Sequence, residues 1–420
     1  MKKTCFLFVK EIIIIVVCAF LGVAALAVTY LIPQSKMIEH TKESSIIVYN
    51  EGRHPHIWET IDETVLDGTT DGLMLNISYT KTDSALRDIL LGTWTKIDGN
   101  KAMHSLYELL EMDNHDGYEI KTYGRYWHGY QIILKPLLCL FSYADIRQIN
   151  MAVQLALVIL FVYLLTKSGG VQLIFPFFGL YFFLSPITLA SAMQYSSCFY
   201  VMMMTLIAMF VLRPYLNDER RNYLFLLDGI MVAYFDFLTY PPITVAIPLI
   251  TYLATDEECR HSVKKSLKDV FFYTVSWGIG YAGMWAMKWV IASLLTDQNV
   301  IYDALKTVNR DSGVLDSEYT YWTTLKSNLA ICNWKVLLGG FILVIIYLIG
   351  RKTIKHESID RSMLPSAAVI MLVSAYPFIW YYLTQMHSSN HCWFVWRELG
   401  ISVYGLLTLM FATLRDRVSE

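Results

Sequence analysis

The chain is a ladder of apolar segments whose short connecting loops sort by charge, and this pattern points to a protein threaded repeatedly through a membrane. Segments 11–32, 147–166, 171–189, 194–213, 223–238, 241–254, 270–294, 335–350, 364–384 and 400–415 read as about ten crossings. Most are long enough to cover a hydrocarbon core of ~30 Å; the pair 223–238 and 241–254 is short. With the N-terminus inside, Lys2, Lys3 and Lys10, Lys167, Arg213, Arg220 and Arg221 all fall on inner segments. So do Arg260, Lys264, Lys265, Lys268, Arg351, Lys352, Lys355, Arg361, Arg415 and Arg417. The short outer turns hold one basic residue, Arg397. Basic residues concentrate on the cytoplasmic side of membrane proteins. The expectation is an all-α polytopic membrane protein with about ten transmembrane helices, a mainly helical extracytoplasmic lobe and both termini cytoplasmic.

Composition agrees. Apolar residues make up 55% of the chain and charged residues 17%, against about 25% charged in soluble domains. Rings such as Tyr30, Tyr223 and Trp334 sit at segment ends, where amphipathic aromatics favour the headgroup zone. A net charge of −2 gives no reason to expect nucleic acid. The seven cysteines show no CxxC and no regular spacing, so neither a disulfide framework nor a zinc site is expected. Lys2, Lys3 and Ala25-Leu26-Ala27 resemble a cleavable signal, but the apolar run from Ile12 to Ile32 is too long for one and reads as an uncleaved anchor.

The division expected is 1–32 (cytoplasmic end and first span), 33–146 (outer lobe), 147–294 (spans two to seven), 295–334 (second outer loop) and 335–420 (last three spans and tail). Residues 128–143 are apolar but short, with Lys135-Pro136 at their centre. Counting them as a crossing would put Arg213, Arg220 and Arg221 outside, so they read as a juxtamembrane helix on the outer leaflet.

Ionisable groups at membrane depth are costly and each needs an account. Asp236 precedes a Pro-Pro break in YFDFLTYPP; it either lines a wet cavity or ends a helix at the water boundary. Asp228, deeper in the same segment, should face the bundle, and Lys288, between Trp285 and Trp289, should snorkel to the headgroups. In the lobe, ETVLDGTTDGLMLNISY places Glu63, Asp67 and Asp71 four apart, on one face of a helix. Apolar Leu73-Met74-Leu75 follows, and a carboxyl group beside apolar surface can have its pKa raised toward that of a general base. YGRYWHGYQIILKPLL offers Arg125, His128 and Lys135 as donors to an anionic group, with Trp127 and its neighbouring tyrosines as flat surfaces for a sugar ring. Arg397 could make bidentate contacts to phosphate, or pair with Glu398. His387 and His391 have metal-ligand spacing but no clear third ligand, so no metal site is assigned and the cofactor is left open, a divalent ion included.

Outward-facing acids and cations beside apolar helices suit a substrate with a charged head and a lipid tail, such as a lipid-linked sugar phosphate. No glycine-rich phosphate cradle for a nucleotide donor stands out. The layout resembles the GT-C superfamily of membrane glycosyltransferases that use polyprenyl-phosphate sugars. The stretch holding Asp67 and Asp71 and the return YGRYWHGYQIILKPLL carry that resemblance. The chain is also similar to bacterial membrane proteins with TDxLMLN-like and YWHG-like stretches, here TDGLMLN at 70–76 and YWHG at 126–129. The adjacent acidic pair common in GT-C enzymes after the first span is missing from 33–58.

The resemblance implies an enzyme of the bacterial plasma membrane that moves a sugar from a polyprenyl-phosphate donor to a cell-surface glycan or lipid-linked acceptor on the outer face. Asp71, or second Asp67, would be the catalytic base; Arg125, Trp127, His128, Lys135, Asp236 and Arg397 would bind substrate. The rivals are a transporter or flippase of lipid-linked sugars, which explains Asp236 and the Pro-Pro break without chemistry, and a non-catalytic assembly protein of envelope polysaccharide.

Overall fold

Long apolar stretches without β-branched alternation or turn residues have one way to satisfy their backbone groups away from water, the helix. The computed structural model describes residues 2–97, 99, 101–112, 117–313, 318–332, 334–355, 358–359, 364–412 and 414–415. Arg361 and Arg417, used in the reading above, lie outside the described residues. Within them the chain is almost wholly helical.

The first helix, α1 (Lys2–Thr29), leads into the lobe. There α2 (Ile38–Glu51), α3 (Gly68–Tyr79), α4 (Ala85–Leu91), α5 (Ala102–Glu111) and α6 (Gln131–Leu138) pack round a small antiparallel hairpin of β1 (Trp94–Ile97) and β2 (Tyr118–Lys121). Asn76 of α3 ties this lobe together, donating to the carbonyls of Thr95 and Ala102 while accepting from the Thr95 N–H. The bundle follows: α7 (Tyr143–Lys167), α8 (Ile174–Phe183), α9 (Pro186–Ser191), α10 (Met193–Val211), α11 (Asp218–Phe235), α12 (Pro242–Thr255), α13 (Glu257–His261) and α14 (Val263–Leu295). The rest comprises α15 (Val300–Asp311), α16 (Tyr321–Ile331), α17 (Trp334–Lys355), α18 (Leu364–Ser374), α19 (Tyr376–Leu383), α20 (Gln385–Asn390), α21 (Cys392–Val395) and α22 (Gly400–Ala412).

Five helical stretches among the described residues are long and apolar enough to cross a membrane, fewer than the sequence pattern suggests: Leu7–Thr29, Tyr143–Lys167, Met193–Val211, Leu364–Leu383 and Cys392–Phe411. The shortfall has local causes. Segment 171–189 breaks at Ser185, whose φ of 59° and following proline end one helix and start another. Segment 241–254 makes a helix of only 14 residues. The helix α14 is long, ~50 Å at 1.5 Å per residue, but rich in Tyr, Trp and Gly.

Nevertheless α14 and α11 form the tightest helix pair. A Cβ on Gly229 would sit 2.1 Å from the Trp277 carbonyl oxygen, and one on Gly280 2.2 Å from that of Leu226. Glycine lets the two backbones touch, a device common between membrane helices. Away from such contacts, large apolar side chains face outward: Ile13, Phe20 and Leu21 on α1, Leu155 and Ile159 on α7. Apolar surface of that extent is compatible with a lipid surround.

The lobe is seated on the bundle by buried side chains. Trp127 inserts among the first, eleventh and fourteenth helices and donates its indole N–H to the Met284 carbonyl at 2.8 Å. Lys288 does not snorkel: it is buried, donates to the Leu90 carbonyl at 2.7 Å and lies over the Trp127 ring. All six described cysteines with placed side chains are free: Cys18, Cys139, Cys198, Cys259, Cys332 and Cys392.

Candidate functional site

Asp67 and Asp71 occupy successive turns at the start of α3. Asp67 is its N-cap, accepting from the Thr70 N–H at 2.9 Å and the Thr70 hydroxyl at 3.0 Å, which satisfies donors that a helix start leaves orphaned. Asp71, one turn on, is fully buried and reaches across to another helix. The N-cap of α10, Ala192, offers no side chain to its own helix, and Asp71 takes that place. Its Oδ2 accepts from the Met193 N–H at 3.0 Å and from the Tyr143 hydroxyl; its Oδ1 accepts from the Gln194 N–H at 3.2 Å. Oδ1 therefore keeps the freer lone pair.

Burial pushes the Asp71 carboxyl up to about 7; the Asp67 charge adds to this, while the Tyr143 hydrogen bond and the Arg147 charge oppose it. Arg147 is itself held, bidentate on Glu51 at 2.5 and 2.7 Å and donating through Nε to the Ser191 carbonyl. Its guanidinium lies 4.1 Å from the centre of the Tyr143 ring.

Met193 and Gln194 have a second role. With Met74, one turn beyond Asp71, they form the upper wall of an apolar groove of about 440 Å³. The groove lies between α6, α7 and α10 and ends against Phe235 and Phe237. It follows α7 from Ile146 to Leu157 and α10 from Met193 to Met204, a run of ~16 Å at helical rise. Its rim is open: Ile133, Val153 and Met204 are 55%, 43% and 44% exposed. Its polar atoms gather on α7 and α10, where Asn150 donates to the Ser196 hydroxyl at 2.7 Å and Ser197 to Asp236 at 2.6 Å. The buried amide oxygen of Gln194 has no partner.

The YGRYWHG return leads into Tyr130 and α6, which line this groove. His128 sits at φ 57°, and its Nε2 is 2.7 Å from the Tyr123 carbonyl. A carbonyl only accepts, so Nε2 carries the hydrogen and Nδ1 faces the Tyr130 hydroxyl at 3.5 Å. Burial, then the charges of Lys288 and Arg125, push this imidazole down to about 3, so it stays neutral. Tyr130 and Phe237 stand against it and also line the groove. Lys135 is buried, donates to the Ser78 carbonyl at 2.8 Å and lies over the Tyr30 ring; burial brings its ammonium down to about 8. Arg125 pairs with Asp303 at 2.7 Å, yet its Nε is buried without a partner.

Asp236 ends α11 and is saturated, accepting from the Ser197 hydroxyl, the Thr239 N–H at 2.7 Å and the Thr239 hydroxyl. That is the geometry of a helix terminus locked onto α10. Arg397 does not meet Glu398. Successive residues of a 3-10 turn point about 120° apart, and Arg397 turns to the Leu184 and Trp393 carbonyls, the Thr188 hydroxyl and the Tyr195 ring. It is buried and does not line the groove. His387 and His391 stack with centroids 4.6 Å apart; His387 faces the Leu238 carbonyl at 2.8 Å, and burial, with His391 beside it, pushes it down to about 3. Among the described residues no three His, Cys, Asp or Glu side chains converge as a metal site would require.

The structure sets His128 against groove-lining Tyr130 and Phe237, Lys135 on the Ser78 carbonyl and Trp127 on the Met284 carbonyl, and it brings Asp67, Asp71 and Arg397 each within electrostatic reach of Tyr195. Tyr143, Arg147 and Gln194 were not singled out by the sequence. Tyr143 and Arg147 fall at the start of an apolar run, where position alone suggests an interfacial anchor. Comparisons of the chain with protein-family models, with curated proteins and with solved structures find no match.

Proposed function

We propose that the protein is a bacterial plasma-membrane glycosyltransferase that moves a sugar from a polyprenyl-phosphate donor to a glycan or lipid-linked acceptor on the outer face. One observation carries the reading: an apolar groove, open along its rim and long enough for several isoprene units, ends beside a buried carboxyl group whose pKa lies near neutrality. An isoprenoid needs such a lipid-facing slot, and an acceptor hydroxyl needs a base poised near the working pH.

In this reading the bundle crosses the membrane about ten times, the further crossings supplied by the shorter apolar helices and by α11, α14 and α17. Both termini are cytoplasmic and 33–146 lies outside, which the charge sorting of the loops supports. Asp71 takes the proton of the acceptor hydroxyl on Oδ1, the hydroxyl attacks the anomeric carbon with inversion, and the polyprenyl phosphate leaves. Asp67 holds the helix that carries the base. Arg125, with its unpaired Nε–H, is the cation best able to receive the phosphate; His128, Trp127 and Lys135 shape the floor beneath it. Asp236 and Arg397 keep the bundle that forms the groove in place.

The test uses the full chain in nanodiscs with a polyprenyl-phosphate sugar labelled in the sugar and a lipid-linked glycan acceptor. The expected result is a new labelled glycosidic product, lost in Asp71→Asn with an unchanged melting temperature. Movement of the donor between leaflets without product would replace this reading by transport.

A further inference from the structure

Asp71 holds the first turn of α10, and a second cavity lies at the other end of the same helix. The stretch Met193–Val211 is long and apolar enough to cross a membrane, and at helical rise its two ends stand ~27 Å apart. Beyond Val211 the chain turns through Arg213 and Leu216 into α11. There a cavity of about 40 Å³ is lined by Phe210, Arg213, Leu216, Arg221, Tyr252 and Asp256, contributed by the end of α10, the start of α11 and the end of α12. The end of a membrane-spanning stretch is the depth at which lipid headgroups lie.

The two arginines of this cavity are not neutralised. The Arg213 guanidinium makes no hydrogen bond or ion pair with any described residue. Arg221 stands 3.5 Å from Asp218 and 3.8 Å from Asp256, too far for good hydrogen bonds. Both acids have nearer partners. Asp218 takes the Lys265 ammonium at 2.9 and 3.0 Å, and Asp256 caps α13 by accepting from the Cys259 N–H at 3.1 Å. Arg221 lies over the Tyr252 ring at 5.0 Å, with the Tyr273 phenol beside it. The rings set the plane of its fork and leave donors for a further acceptor.

Two guanidinium groups on one small cavity call for an anion, and its size narrows the choice. About 40 Å³ holds the equivalent of about three water-sized atoms, enough for the oxygens of a phosphate and too little for a nucleoside or a sugar ring. Val211, Leu212 and Tyr215 are exposed beside it and give apolar surface to chains attached to that phosphate. A zwitterionic head would set its ammonium against Arg213 and Arg221, whereas a net-negative head meets no such repulsion. We propose that Arg213 and Arg221 bind the phosphate of an anionic phospholipid whose acyl chains run along the exposed end of α10. In the orientation given above this is the inner leaflet, where arginines of this kind attract anionic lipid.

Native mass spectrometry of the full chain in detergent tests the site, with dioleoyl-phosphatidylglycerol, dioleoyl-phosphatidylcholine and inorganic phosphate as probes. The first phosphatidylglycerol should bind at least about fivefold more tightly than the first phosphatidylcholine. Arg213→Ala should weaken that step about fivefold with an unchanged melting temperature, since its side chain is exposed and holds no partner. Arg221→Lys keeps the charge, loses the fork and should weaken it about two- to fivefold. Arg220→Ala removes a neighbouring cation that lies outside the cavity and donates to the Tyr215 carbonyl; it should change the step by less than about twofold. Equal losses in Arg213→Ala and Arg220→Ala would show only general attraction to a basic surface and overturn the inference. Equal binding of the two lipids also overturns it. Displacement of phosphatidylglycerol by millimolar inorganic phosphate would assign the cavity to the free anion and overturn the lipid site. None of these outcomes bears on sugar transfer, which the labelled-product assay tests separately.

Discussion

Replacing Tyr143 by phenylalanine isolates the role of Asp71. The Tyr143 hydroxyl donates to Asp71 Oδ2 in a fully buried site. A hydrogen bond to a charged group is worth ~1.5–3 kcal/mol, and each pH unit corresponds to about 1.36 kcal/mol. Losing it should move the carboxyl about 1–2 units upward, from about 7 to between about 8 and 9. The Ser191 carbonyl, which Tyr143 also approaches, keeps its bond from Arg147, so the fold should tolerate the change. In the transfer assay the base is active when ionised, so kcat/KM should rise with pH through about 7 in the wild type and through about 8–9 in Tyr143→Phe.

Stability supplies an independent reading with the opposite sign. A carboxyl whose folded pKa lies above its unfolded one contributes stability that is fully present below about pH 4 and is lost as pH rises to about 7. The loss should continue to about 8–9 in the variant. A rising limb that stays at pH 7, or moves to lower pH, would show that the titrating base is not Asp71.

Three further outcomes follow from the geometry. Val153→Trp places an indole in the groove from a half-exposed rim position; transfer should fall at least about tenfold while the melting temperature moves by no more than ~2 °C, and unimpaired transfer would show that the groove carries no substrate. Gly92→Ala puts a Cβ at φ 55° and 2.4 Å from His128 Nε2, a cost of about 2–4 kcal/mol to be read by thermal denaturation, with an unchanged melting curve the contrary result. Arg147→Lys keeps the charge facing Asp71 but loses the fork on Glu51, so stability should fall by about 1–2 kcal/mol while the pH limb stays in place; a displaced limb would mean that the guanidinium geometry, rather than its charge, sets the base.

Helices were legible where apolar runs were long, since a lipid-like environment leaves the backbone no alternative. Their breaks were less so. Ser185-Pro186 announces a break, but only the left-handed backbone at Ser185 makes 171–189 two helices. The acidic ladder Glu63, Asp67, Asp71 marked the approach to α3, but its members do not share one helix face: Glu63 lies in the separate 3-10 turn Asp62–Thr64 and Asp67 is the N-cap, so only Asp71 is inside the helix. It could not show that Asp71 caps a helix more than a hundred residues away, because such a contact leaves no periodic trace. Lys288 looked like a snorkelling cation because neighbouring tryptophans suggest an interface; its partner, the Leu90 carbonyl, belongs to a lobe that sequence cannot place above it. The adjacency of Arg397 and Glu398 suggested an ion pair, and the turn of the helix sends them to different surroundings, leaving Glu398 unpaired.

The central claim is that an isoprenoid chain lies in the groove with its phosphate beside Asp71. A polyprenyl phosphate bearing a photoreactive group on an isoprene unit near the phosphate, irradiated with the full chain in nanodiscs and mapped by mass spectrometry, tests it directly. The account predicts adducts on Ile133, Val153 and Met204, competed away by unlabelled polyprenyl phosphate and reduced in Val153→Trp. Adducts spread over the outward faces of α1 and α7, insensitive to competitor, would contradict it.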